Sequence, residues 1–422
     1  MRVLFVSNTF PEDRRASVYG IFNRLHVLLD AVRSIADEVD MLLYAPPAQM
    51  ASQPKEELEA KISEFFGPKV RARVAARATP KQQPSFFDAY LSGLFDFTRL
   101  SDVYHGYYQT TGPAQMAAFS DGLDRKPDWI FAHRLSAMAP LLLTERGLPP
   151  VILDLDDIEH RAFLSALRVQ PFWPGKLLCY PHALSIRRGG CCAVRKARLT
   201  FVCSPEDRDY LNRIAGTESV VALQNSVTMP ETIAEVPAEL SVAFIGSYSY
   251  APNIDAADYL IRSIWPLIRQ KVPDASLFIV GAKPEMIPSY GSSHDGVTFT
   301  GFAEDMNQLY RHVRVIACPI RSGGGTRIKI IEAAAYGKAV VATPFSAGGL
   351  DLRDGEELLL RREPAAFADA CASLLLNREN CRKLGLAARR RVERFYDRAA
   401  AVTLAKDQIV RALPELYRCR TQ

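Results

Sequence analysis

Nowhere in the 422 residues is there a run of about twenty uninterrupted apolar side chains, the length a membrane-crossing helix needs, so the sequence predicts a soluble or peripheral protein. The N-terminal MRVLFVSNTFP has its apolar run broken by Ser7, Asn8 and Pro11 before a secretory core could form; it reads as a buried first strand. Low-complexity tracts are missing, which excludes a disordered chain. The eight cysteines (Cys179, Cys191, Cys192, Cys203, Cys318, Cys371, Cys381 and Cys419) form no CxxC pair and no Cys/His spacing that closes a zinc site. Reduced thiols and a cytoplasmic address are therefore expected.

What is present is an ordinary globular composition, 48% hydrophobic and 23% charged. At roughly 100–200 residues per domain the length implies two domains. The net charge of +5 is mild but unevenly placed. Residues 61–81 hold six Lys/Arg (Lys61, Lys69, Arg71, Arg73, Arg77, Lys81) against Glu64 alone, and residues 171–198 hold six more with no acid. Both stretches border apolar or aromatic residues (Phe65, Phe66, Phe86, Phe87; Phe172, Trp173, Leu177, Leu178), the mixture that sits against anionic lipid headgroups. Peripheral membrane contact through them is one expectation, a solvated basic face the other; no nucleic-acid partner is expected.

Strand-like apolar runs alternate with longer helical patterns throughout, which implies βαβ units around parallel sheets and an α/β fold class. The first series has strands at Val3–Val6, Val39–Tyr44, Trp129–Ala132, Val151–Leu155, Leu199–Cys203 and Val220–Leu223, with a helix whose Ile21, Leu25, Leu28, Leu29, Val32 and Ile35 share one face. The path of residues 45–125 cannot be assigned. A second series has strands at Val242–Ile245, Leu277–Val280, Val297–Thr300, Val315–Cys318, Val340–Thr343 and Leu358–Leu360, and helices at Ala256–Ile268, Met306–His312 and Arg327–Tyr336. The expected layout is a Rossmann-like domain over 1–225, a linker over 226–240, a second Rossmann-like domain over 241–395 and a helical segment over 396–422. Ligands of such sheets bind outside the carboxyl ends of the strands.

The most informative segment is CPIRSGGGTRIKIIEAAAYGKAVVATP, residues 318–344. Glycines Gly323, Gly324 and Gly325 let a backbone approach a ligand, Thr326 opens a helix, and the free N–H groups and positive dipole end of that helix attract phosphate. Arg327 and Lys329 add two charges. The spacing is not that of a Walker A loop. Glu332, about one turn beyond Lys329, can accept both hydroxyls of a ribose, or simply pair with Lys329 on the helix surface. A turn serving only to join strand and helix would not require cations against the helix dipole.

Residues 318–344 resemble the C-terminal-domain signature of the retaining, nucleotide-sugar-dependent GT-B glycosyltransferases called family 4, or glycosyl transferases group 1. The resemblance extends over nearly the whole chain: AFIGSYSYAPNIDAADYLI, with Gly246, is similar to the first strand and helix of the donor domain, LFIVGAKP to its second strand, VTFTGFAEDMNQLY to its nucleotide-base region, and VALQNSV to the inter-domain hinge. It implies a GT-B fold and a nucleotide diphosphate sugar as donor substrate, with no metal or other cofactor. By the same resemblance Glu332 holds the ribose, Arg327 and Lys329 the diphosphate, and Gly20 is what survives of a Gly-rich loop after the first strand. Two departures stand out: the first Glu of the family's E-x7-E pair would fall at Gly324, and its Lys-Gly after the first donor-domain strand is Asn253-Ile254. The cationic work then falls to Arg327 and Lys329. Arg14 and Arg15 either compensate for the lost glycines or are a solvated loop.

His133, ending WIFAH, matches the family's active-site His at a strand's carboxyl edge. The cluster LDLDDIEHR supplies Asp154, Asp156, Asp157, Glu159 and His160 as acceptor-side candidates, or as helix caps. The resemblance implies retention of configuration, with the leaving diphosphate helping to deprotonate the acceptor. The basic, aromatic segments point to a lipid-linked glycan or surface polysaccharide intermediate as acceptor, with a soluble small molecule as the rival. A sugar-nucleotide 2-epimerase and a non-catalytic nucleotide-sugar-binding homologue are the alternatives.

Overall fold

A computed structural model describes residues 1–10, 20–51, 54–78, 111–168, 174–233, 235–324 and 328–418. Arg14, Arg15, Phe86, Phe87, Phe172, Trp173, Gly325, Thr326 and Arg327 lie outside the described residues. The chain forms two compact units, Met1–Gln224 joined by Ala401–Gln422, and Asn225–Ala400.

Unit 1 contains a parallel sheet of β1 (Arg2–Ser7), β2 (Glu38–Ala45), β3 (Val70–Ala76), β4 (Trp129–His133), β5 (Val151–Asp156), β6 (Leu199–Val202) and β7 (Val220–Ala222), in the order β3-β2-β1-β4-β5-β6-β7. Its helices are α1 (Gly20–Ile35), α2 (Pro47–Ala51), α3 (Lys55–Phe66), α4 (Pro113–Asp124), α5 (Ala139–Leu143), α6 (Glu159–Leu167), α7 (Tyr180–Lys196) and α8 (Pro205–Ala215). Strand residues alternate between faces. Val3 and Phe5 therefore pack in one apolar layer with Leu25, Leu28 and Val32 of α1, and Leu4 and Val6 in another with Phe119 of α4 and Val194 of α7. Burial on both faces is why β1 reads as a continuous apolar run.

The basic stretch 61–81 is not one exposed face. It contains β3, whose Val70, Ala72 and Val74 are buried, and Arg73 turns inward to pair with the buried Asp40 of β2 (Nε to Oδ1 2.7 Å). Alternating VRARV is the pattern of a half-buried edge strand that carries charge against unwanted pairing.

Unit 2 holds β8 (Ser241–Ile245), β9 (Ser276–Val280), β10 (Val297–Gly301), β11 (Val315–Cys318), β12 (Ala339–Ala342) and β13 (Leu359–Leu360), parallel and ordered β10-β9-β8-β11-β12-β13. Around it run α9 (Ala251–Tyr259), α10 (Trp265–Lys271), α11 (Met306–His312), α12 (Ile328–Ala335), α13 (Pro364–Leu376) and α14 (Arg378–Phe395). A single helix was expected over Ala256–Ile268; instead a π-helical turn, Leu260–Ile264, separates α9 from α10. Pro266 has no N–H to continue an α ladder, so the register changes just ahead of it. Residues 226–240, read from the sequence as a linker, pack on unit 2. Val227 and Val236 enter its core, and Lys338 donates to the Glu235 carbonyl, Arg314 to Pro237 and Ala238, and Arg389 to Pro230.

Beyond unit 2 come α15 (Arg398–Ala412) and α16 (Pro414–Arg418). Ala405, Ile409 and Leu413 are buried in the same layer of unit 1 as Val3 and Phe5. The end of the chain thus completes the core that its beginning starts.

In each sheet the strand order reverses once. The chain leaves β1 for β2 and β3 on one side and returns for β4 on the other; it does the same at β8, β9, β10 and β11. The seams β1/β4 and β8/β11 are topological switch points, where open α/β sheets bind ligands. Next to the first seam Arg24 of α1 and Asp154 of β5, 3% and 0% exposed, form an ion pair (Nη2 to Oδ1 2.6 Å), and Arg24 also donates to the Leu223 carbonyl at 2.8 Å.

Two stability predictions follow from these contacts. A Cβ on Gly385 of α14 would lie 2.0 Å from the Gly337 carbonyl oxygen. Gly385→Ala should therefore destabilise unit 2 by about 1–3 kcal/mol, as overpacking does, read as a lower Tm. Arg24→Met strands a buried carboxylate and should cost about 3–5 kcal/mol in urea unfolding, whereas Arg24→Met with Asp154→Leu should recover most of it.

Candidate functional site

The second seam gathers most of the residues singled out from the sequence. Gly246 follows β8, and its N–H bonds to the Val280 carbonyl at 2.9 Å. Gly281 approaches it so closely that a Cβ there would sit 1.7 Å from the Gly246 oxygen. Across the seam the chain leaves β11 through Pro319 and Ile320, which hydroxyls after β12 hold in place. Ser346 Oγ donates to the Cys318 carbonyl at 2.7 Å and accepts the Ile320 N–H at 3.1 Å, while the Thr343 hydroxyl bonds to the Ile320 carbonyl. Arg321 then pairs with Asp255 of α9 at 2.6 Å and stacks on Tyr259, 3.9 Å from its ring centre. The glycine run starts from this clamp. Gly323 has φ +106°, a conformation that favours glycine, and the Gly324 N–H lies 3.5 Å from the Tyr250 hydroxyl.

Lys329, in the first turn of α12, sends its Nζ back to the seam. The ammonium donates to Asn253 Oδ1 at 2.8 Å and sits 4.5 Å above the Phe244 ring; Asn253 is itself fixed by donating Nδ2 to the Ser247 carbonyl at 2.9 Å. A Cβ on Gly246 would come within 3.1 Å of that Nζ and 2.9 Å of Asn253 Cγ, so only glycine leaves room for the arrangement. The ammonium thus sits on Asn253, the residue at which the family resemblance puts a lysine. The cation is supplied from 76 residues away, and Asn253 orients it.

Glu332, one turn further along α12, accepts the Tyr310 hydroxyl (3.4 Å to Oε2). Tyr310 is fully buried and stacks on Tyr336 with ring centres 4.3 Å apart. Burial pushes the Glu332 carboxyl up to a pKa of about 7, against the opposing pull of the Tyr310 hydroxyl and the Lys329 ammonium. Of the residues singled out from the sequence, Gly246, Gly323, Gly324, Lys329 and Glu332 lie at this seam. Sequence reasoning missed the support given by Phe244, Tyr310 and Arg321, for which linear spacing offers no signal. Gly20 opens α1 in unit 1.

At the first seam His133 pairs in register with Ser7 of β1, and its Nδ1 lies 3.0 Å from Ser7 Oγ, which also accepts the Thr9 N–H at 3.0 Å. The imidazole is fully buried. Burial, then the charges of Arg134 and Arg24, hold its pKa down to about 3, so it is neutral. Its Nε2 is 3.7 Å from Asp154 Oδ2. Asp156 adopts φ +57° at a break in the β5–β6 register and receives the Cys203 thiol (3.0 Å to Oδ1), with Arg134 3.7 Å away. His160 is buried and bonded through Nε2 to the Tyr210 hydroxyl at 2.7 Å. The acidic cluster is therefore divided: Asp154 and Asp156 face an internal network, and Glu159 is exposed at the start of α6. Among the described residues no group of three or more His, Cys, Asp or Glu side chains is placed to hold a metal ion.

An ammonium held by an amide oxygen and a ring face, beside the backbone of a glycine run and the start of a helix, is equipped to receive an anion. A half-buried carboxylate one turn on can accept hydroxyl groups. The family model described as glycosyl transferases group 1 matches residues 239–377, which span the second seam. EpsD of Bacillus subtilis (strain 168), whose glycosyltransferase assignment is provisional, is 30% identical over 165 residues, 36% of this chain and 42% of EpsD. The matched region thus spans less than half of that curated relative. Sucrose-phosphate synthase (tll1590) from Thermosynechococcus elongatus has a similar structure, with TM-score 0.69 and 18% identity over 98% of this chain and 99% of that one. So does Anabaena Alr3699/HepE in complex with UDP-glucose, with TM-score 0.63 and 16% identity over 97% and 99%. At such identities the structural likeness is one of fold. The chain has the GT-B fold, and the model described as glycosyl transferases group 1 matches its residues 239–377.

Proposed function

We propose that the protein is a retaining glycosyltransferase that moves a sugar from a nucleotide diphosphate donor to a hydroxyl of a lipid-linked glycan or surface polysaccharide intermediate. The observation that carries the reading is the Lys329 ammonium fixed by Asn253 at the β8/β11 seam, beside Gly246 and within one turn of Glu332. The UDP-glucose bound by Alr3699/HepE supports a donor of this class.

In this reading the diphosphate lies against Lys329, Arg327 and the N–H groups of the glycine run, and Glu332 accepts the ribose hydroxyls. The bond from the anomeric carbon to the β-phosphate oxygen breaks as the acceptor oxygen bonds to the same face of that carbon. The acceptor's proton passes to the departing phosphate oxygen. Charge grows on the diphosphate as it leaves, and a preorganised ammonium and N–H groups stabilise it without reorganising. No side-chain nucleophile and no metal are needed. His133, neutral and bonded to Ser7, is here a positioning residue for the loop that follows β1. Asp157 and Glu159 are the acceptor-side carboxylates closest to solvent. A cytoplasmic setting accords with the seven described cysteines, all free thiols.

Incubating the full chain with UDP-, GDP- and ADP-sugars and a lipid-linked or polysaccharide acceptor should yield free nucleoside diphosphate and an elongated acceptor of unchanged anomeric configuration. A new nucleotide sugar formed without acceptor would mark a 2-epimerase; donor binding without turnover would mark a non-catalytic homologue. Lys329→Ala should lower kcat by about 10²–10³, the cost of losing one transition-state donor.

The Glu332 proton gives a pH signature. Ribose hydroxyls bond best to the ionised carboxylate, so nucleoside diphosphate affinity should rise as the pH passes through about 7, and Glu332→Gln should flatten the titration. Stability moves the opposite way. The folded chain keeps a proton that the unfolded chain has released, so stability falls as the pH rises from the ordinary carboxylate range through about 7, and Glu332→Gln should remove that fall.

A further inference from the structure

Three large apolar side chains stand in solvent on one side of unit 1. Leu177, Tyr180 and Leu184 are 55%, 40% and 43% exposed. They lie on the 3-10 turn Pro174–Cys179 and on α7, spaced by three and then four residues, which puts them on one side of a continuous helical path. The other side of α7 is buried through Ala183, Ile186, Gly190, Ala193 and Val194, so the apolar triad is not part of the core.

The charge along the segment that carries the triad has one sign. Residues 174–196 carry Lys176, Arg187, Arg188, Arg195 and Lys196 and no acid. Arg195 is used internally, donating to the Ala215 carbonyl at 2.9 Å, but Arg187 is exposed one turn beyond Leu184. On the helices packed against α7, Asp207 and Asp209 of α8 are paired with Arg161 and Arg208, Glu206 of α8 and Glu159 of α6 are exposed in the first turns of their helices, and α6 ends near the exposed Arg168. The other basic stretch, 61–81, offers no such face, because β3 buries its apolar residues and Arg73 is committed to Asp40.

We propose that this face of α7 and its preceding turn docks the protein on an anionic lipid surface, with Leu177, Tyr180 and Leu184 entering the headgroup layer and Arg187 and its basic neighbours meeting lipid phosphates. Apolar residues flanked by cations on one helix face are the chemistry of an interfacial helix. Among the described residues no helix is long and apolar enough to cross a membrane, so the contact lies in the plane of the surface. The inference deepens the proposed use of a lipid-linked acceptor, and rests on that reading only for its purpose.

Flotation of the full chain with vesicles, without nucleotide, tests it. The protein should float with vesicles containing phosphatidylglycerol and not with phosphatidylcholine alone, and added salt should release it. Arg187→Glu should lower the bound fraction about five-fold or more, from the contribution of one basic residue at an anionic surface. The pair Leu177→Ser and Leu184→Ser should lower it further, while Leu376→Ser, an exposed leucine of unit 2, should leave it unchanged. Thermal melts of each variant establish that it is folded. Equal flotation with phosphatidylcholine, no flotation, or an equal loss in Leu376→Ser overturns the proposal. So does a solution dimer that Leu184→Ser separates while vesicles are ignored, which would make the face a subunit interface. Because no donor is used, failure here leaves the sugar-transfer reading standing, and failed turnover leaves the flotation result standing.

Discussion

At a seam where successive crossovers depart in opposite directions, no helix crosses the carboxyl ends of the two middle strands, and whatever the loops place there decides what those ends can do. Both sheets of this chain contain such a seam, and each element of the candidate site is fixed relative to one of them. Strand order alone, set by which apolar runs are buried on both faces, makes Ser7 a neighbour of His133 and brings the turn after β8 beside the glycine run after β11.

The two seams use charge differently. In unit 1 most of the polar groups are partnered inside the protein: Arg24 with Asp154 and the Leu223 carbonyl, His133 through Nδ1 with Ser7, Asp156 with Cys203 and Arg134. Removing one member leaves another stranded in a low dielectric, so the network is stiff and holds the strand ends in place. In unit 2 the ammonium of Lys329 rests on neutral supports, the Asn253 amide and the Phe244 ring. These supports orient the charge at the strand ends, which suits a site that must offer positive potential to an incoming phosphate.

Much of the second seam was legible in the sequence because its signals are local. A glycine run between an apolar strand and an amphipathic helix, with a cation in the first turn and a carboxylate one turn later, is contained in fifteen residues from Cys318 to Glu332. What was not legible depends on partners far along the chain. Arg24 lies in a helix that reads as ordinary, and only folding brings it to Asp154, 130 residues away. β3 was obscured by its arginines, since the charge of Arg73 is neutralised by a strand 33 residues earlier. α15 reads from the sequence only as part of a separate helical segment because Ala405 and Ile409 are too few to mark a core without Val3 and Phe5 beside them. Asn253 stood out in the sequence as a missing lysine; the structure makes it the support for one supplied elsewhere.

The fold persists at 16–18% identity to its structural neighbours, and the close approaches in unit 2 suggest how. Apolar layers tolerate exchange of one hydrophobic residue for another as long as volume and periodicity are kept. Two backbone contacts do not tolerate it: Gly281 against Gly246, and Gly385 against Gly337. Each fixes a separation that a single Cβ would break, and the first sets the geometry of the second seam. Sequence can drift widely around such points, because the position of the ammonium depends on where the backbone has no side chain as much as on the lysine itself.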